Sequence, residues 1–139
     1  MRSRPVLLAT VLALSPLAAG CKTVNARVAA SAPTYAADAS IRLKPNKTGN
    51  GELVIEVEHL APPKRIDKSY AGYVAWILVE GQPPVKLGVL DYNERKRLGQ
   101  LHATTPQKRF SVKITIEQDL NASTPSSLVI IEHPIVAKH

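Results

Sequence analysis

One cysteine, one phenylalanine, one tryptophan and one methionine stand among 139 residues, and aromatic side chains make up only 4%. A lone cysteine excludes any disulfide within the chain and any multi-thiolate metal centre. The basic residues are scattered, only Arg95-Lys96-Arg97 is clustered, and no aromatic ladder accompanies them. That combination excludes the footprint of a nucleic-acid binder. After residue 21 no stretch reaches the roughly 20 apolar residues that a membrane-spanning helix needs. Catalytic signatures are missing too. There is no Gly-x-Ser-x-Gly elbow, and no serine is placed with histidine and aspartate in a recognisable order. Gly49-Asn50-Gly51 reads as a turn between strands, not as a loop that cradles phosphate. Glu56 and Glu58 share one face of a strand, the ordinary pattern of a solvated sheet. These absences point to a protein that is not an enzyme and carries no cofactor.

What is present begins at the N-terminus. Arg2 and Arg4 precede an uncharged apolar run over residues 5–19, and Leu17-Ala18-Ala19-Gly20-Cys21 ends on the only cysteine. This is the layout of an export signal. The five residues resemble a bacterial lipobox, although Ala18 stands where leucine is commonest. The resemblance implies cleavage between Gly20 and Cys21, with acyl chains on Cys21 holding the protein to a membrane. Each buried methylene contributes about 0.8 kcal/mol, so two or more chains anchor stably where one does not. A bacterial cell-envelope location follows. Lys22 in place of aspartate favours the outer membrane, facing the periplasm. Ala18-x-Gly20 also suits the ordinary secretory peptidase, which would leave a soluble protein with a free thiol at residue 21.

Without residues 1–20 the chain has 119 residues, a size that suits one domain, and a formal net charge of +5. A modest basic excess fits an anionic lipid or polysaccharide surface. Residues 21–39 start with the lipidated cysteine and are rich in Ala, Ser and Thr, which predicts a flexible tether. Residues 40–139 change to short period-two runs separated by Pro and Gly, the signature of an all-β domain. Strands are expected around Ile41 and Leu43, over 52–60, over 70–80, around Val85 to Val89, over 98–103, over 109–118 and over 128–132, with Pro134 stopping the last. In the strand over 109–118, Phe110, Val112, Ile114 and Ile116 point inward, and Ser111, Lys113, Thr115 and Glu117 outward. The stretch over 70–80 is apolar on both faces, so it predicts a central, doubly covered strand with Trp76 filling the core. Seven short strands suit an immunoglobulin-like antiparallel β-sandwich.

Three pieces of this region, Tyr73-Val74-Ala75-Trp76-Ile77-Leu78, Pro84-Val85-Lys86-Leu87-Gly88-Val89-Leu90 and Phe110-Ser111-Val112-Lys113-Ile114-Thr115-Ile116-Glu117, come in a distinctive order. With the Pro125-Ser126-Ser127 turn they resemble the extracytoplasmic C-terminal domain of anti-sigma-K factors, and small envelope lipoproteins that share the pattern. The resemblance covers about half of the chain after residue 20. It implies a β-sandwich outside the cytoplasm, acting as a sensing or interaction module. It does not imply control of a sigma factor, because the sigma-binding region and spanning helix have no counterpart here.

The histidines are His59, His102, His133 and His139. Glu56, Glu58 and His59 cannot converge on one ion, since His59 takes the opposite strand face. His59 and His133 together are the weak candidates for a copper or zinc site. Two readings result: a non-enzymatic, lipid-anchored envelope sandwich that binds, senses or supports, with an envelope protein or polysaccharide as partner; or a metal-binding envelope accessory.

Overall fold

A computed structural model describes residues 22–138; Gly20, Cys21 and the export segment lie outside the described residues, as does His139. Nine strands and one helical turn follow one another: β1 (Val24–Ala29), β2 (Asp38–Pro45), β3 (Gly51–Glu58), α1 (Pro63–Ile66), β4 (Gly72–Leu78), β5 (Val85–Val89), β6 (Asp91–Asn93), β7 (Leu98–Thr105), β8 (Arg109–Glu117) and β9 (Val129–Val136). They form two antiparallel sheets, one in the order β1-β2-β3-β7-β6 and one in the order β5-β4-β8-β9. With β1 set aside as an extra edge strand, these are the strand orders of an immunoglobulin-like sandwich, with β5 widening the second sheet.

Alternation drives the core. Ile41 and Leu43 of β2, Leu53, Ile55 and Val57 of β3, and Phe110, Val112, Ile114 and Ile116 of β8 are all buried between the sheets. They meet Tyr73, Ala75 and Ile77 of β4, which share the inner face because Tyr73 pairs with Ile116, Ala75 with Ile114 and Ile77 with Val112. No disulfide joins the sheets, so apolar burial holds them together.

The structure departs from expectation in four places. The segment expected as a tether carries β1, which pairs with β2 from Val24↔Leu43 to Ala29↔Asp38. Val24, Ala26 and Val28 pack on the core, and Ala30, Ala37 and Ala39 are buried. Small residues there are fitted to a crowded corner and not to flexibility. Trp76 is fully buried, but with Val74 it faces away from the inter-sheet core, beside its strand neighbours Lys86 and Lys113. Thr115 and Glu117, expected in solvent, are buried on that same outer face. The 118–128 segment accounts for this: Leu120 lies against Gly72, its carbonyl accepts from Lys86 Nζ, and Ser126 N donates to Glu117 Oε1 at 2.8 Å. Finally, β9 runs through Pro134 to Val136. It is an edge strand, where proline is tolerated because its missing N–H can face away from the ladder.

Candidate functional site

The two flanks of the sandwich are finished differently. On the β9 side, Ser31 donates from N to Ile130 O at 2.9 Å and from its hydroxyl to Val129 O and Ile130 O. Lys22 bridges Lys138 in antiparallel register. These contacts tie the two ends of β9 to the start of the first sheet.

The opposite flank is open. The chain leaves β5, turns at the buried Leu90, whose N donates to Tyr73 O, and enters β6 in the other sheet. β6 is only three residues long and pairs with β7 at Leu98, Gly99 and Gln100. Beyond Gln100, residues 101–105 pair with β3 on one side and, among the described residues, with no strand on the other. The outer edge of β5 is likewise unpaired. Between these two edges runs a groove of about 490 Å³ lined by Ile77, Val79, Val85, Leu87, His102 and Thr104, among others. Val85 is 56% exposed in its wall. Free backbone donors and acceptors beside apolar side chains are what an added strand requires.

A second cluster closes the end of the sandwich where β3 stops. The Tyr73 hydroxyl donates to Ala61 O at 2.6 Å and the Tyr92 hydroxyl to Leu60 O at 2.7 Å. Their rings meet edge to face, with centroids 6.0 Å apart. His59 and Arg97 both adopt left-handed backbone, φ 57° and 52°, and are joined by Leu60 N to Arg97 O and by Arg97 Nη2 to His59 O. Left-handed backbone is costly for non-glycine residues, so this corner is held by its hydrogen bonds. Burial raises the Tyr73 and Tyr92 phenols above the ordinary value of 10.0; for Tyr73, Tyr92 adds to the rise and Arg97 opposes it. The cluster binds its own backbone, which makes it a structural clamp.

No family model, curated protein or solved structure matches the chain.

The remaining sequence candidates fall apart in space. His59 follows the last residue of β3 in the first sheet, whereas His133 sits midway along β9 in the second, opposite Val112. No group of three His, Cys, Asp or Glu side chains among the described residues is placed to hold a metal ion. His102 is exposed on β7, in the groove wall. Trp76, Phe110, Ile114 and Ile116 are all buried. Trp76 Nε1 donates to Thr115 Oγ1 at 2.9 Å, and the Thr115 hydroxyl donates to Glu117, a fully internal relay. The open β7 edge was the feature missed in the sequence. It has no local signal, because it depends on how short a stretch of β7 the three residues of β6 cover.

Proposed function

We propose that the chain is a non-enzymatic, lipid-anchored β-sandwich of the bacterial envelope that binds a partner protein by accepting an extended segment along β7. The observation that carries this reading is the five-residue stretch 101–105, unpaired on its groove side beside the apolar wall of the groove, while the other flank is tied across by Ser31 and the Lys22–Lys138 bridge. A peptide of alternating apolar side chains would complete the sheet through main-chain hydrogen bonds and seat those side chains against Ile77 and Leu87. The lipobox-like ending at Cys21 and the likeness to an anti-sigma-K extracytoplasmic domain both support an interaction module held at a membrane.

In-cell crosslinking of the full chain tests it, with a photoreactive residue at Thr104 or, as the control, at Lys64 on α1. The expected result is an adduct from position 104 that maps to one extended segment of one envelope protein. Equal or absent crosslinking from the two positions overturns the reading. Intact mass of the same purified chain reports acylation of Cys21 separately.

A further inference from the structure

The net charge of the sandwich is gathered at one end. Lys22, Lys44, Lys47, Lys108, Arg109 and Lys138 are all exposed there. Register and hydrogen bonds bring them together: Lys22 bridges Lys138, Lys44 lies one pair from the β2–β3 turn that carries Lys47, and Arg109 pairs with Val136. Lys108 Nζ donates to Gly49 O, and Lys108 O accepts from Ala137 N at 2.8 Å. A small hollow lined by Lys22, Pro45, Lys108 and Lys138 marks the centre of this end. Among the described residues only Glu52 and Glu80 offset the six cations, and the one ion pair, Lys113–Glu132, lies elsewhere. At the opposite end Lys64, Arg65, Lys68 and the Arg95-Lys96-Arg97 turn are matched in number by the carboxylates of Asp38, Glu58, Asp67, Asp91, Glu94 and Asp119. The basic excess of the sequence is therefore an asymmetry of the fold.

In the sequence Cys21 immediately precedes Lys22. Because β1 and the Lys22–Lys138 bridge leave almost no slack, an anchor at residue 21 brings the six cations to the headgroups. We infer that this end is a docking face for an anionic lipid bilayer, which sets the sandwich upright with its β5/β7 groove running away from the membrane. The inference rests on the anchored reading given above. Anionic headgroups attract basic residues that lie near the surface, and the attraction fades within a Debye length. A rigid, short attachment makes all six count, whereas a long tether would not.

The test uses the full chain purified from bacterial membranes and reconstituted in vesicles of phosphatidylcholine, alone or mixed with phosphatidylglycerol. A fluorophore is placed at Thr48→Cys in the basic end or at Asn121→Cys at the far end, and quenched by spin-labelled headgroups. On phosphatidylglycerol vesicles the label at 48 is expected to be quenched several-fold more than that at 121. The gap should narrow on phosphatidylcholine, at high salt, and when Lys22, Lys47, Lys108 and Lys138 are all replaced by glutamine. Equal quenching at both positions on anionic vesicles, or a gap indifferent to lipid charge and salt, overturns the inference. So does retention on dextran sulfate without any headgroup contact, which assigns the face to a polysaccharide. The chain without an added cysteine takes up label only if Cys21 is free, so failure of the anchor shows itself independently.

Discussion

Tyr73 and Tyr92 each use a hydroxyl to hold a carbonyl of the chain leaving β3, and each is a test of the clamp. Tyr73→Phe should cost about 1 kcal/mol in chemical denaturation, the net worth of one such bond. The raised phenols add a pH signature. Below pH 10.0 folded and unfolded chains both keep the proton and the contribution is whole. Above it the unfolded chain releases protons that the folded chain retains, so stability falls as pH climbs. The Tyr73→Phe/Tyr92→Phe pair should flatten that fall; an unchanged alkaline slope would refute the assignment. Thr115 offers a second residue-scale test, since it takes the Trp76 N–H and donates to Glu117. Thr115→Val strands the Trp76 N–H in a buried site and leaves Glu117 with only its bond from Ser126 N, at about 1–3 kcal/mol. Trp76 is the only tryptophan, so its fluorescence reads the change directly.

At the scale of elements the instructive strand is β1. Val24, Ala26 and Val28 alternate with Asn25, Arg27 and Ala29, a period-two pattern plain in the sequence but written in small residues that read equally well as a linker. What decides is the partner: Ala39, Ile41 and Leu43 of β2 have another edge to fill. Val28→Asp should lower stability by about 1–3 kcal/mol, because it sets a carboxylate against buried Ala39. A true tether would tolerate it without loss, so an unchanged denaturation midpoint would count against β1. The strands β3 and β8 were legible because large apolar residues alternate with polar ones and leave no other way to face the core. Thr115 and Glu117 looked solvated by the same rule. Their burial depends on the 118–128 segment folding back over the sheet, a long-range event with no local signal.

For the molecule as a whole, the all-β class and the two-sheet arrangement could be read from the spacing of turns, since Pro and Gly punctuate nearly every junction. The asymmetry of its flanks could not, because a strand edge is open or covered only relative to what lies next to it. The charge asymmetry was hidden for the same reason: Lys22, Lys47, Lys108 and Lys138 are far apart in sequence and adjacent only once the hairpins close. That same adjacency has a practical outcome. With residues 22 and 138 side by side, a purification handle or reporter joined after residue 138 would stand within the cluster of lysines, while one inserted at the exposed Arg95-Lys96 turn would be carried at the opposite end.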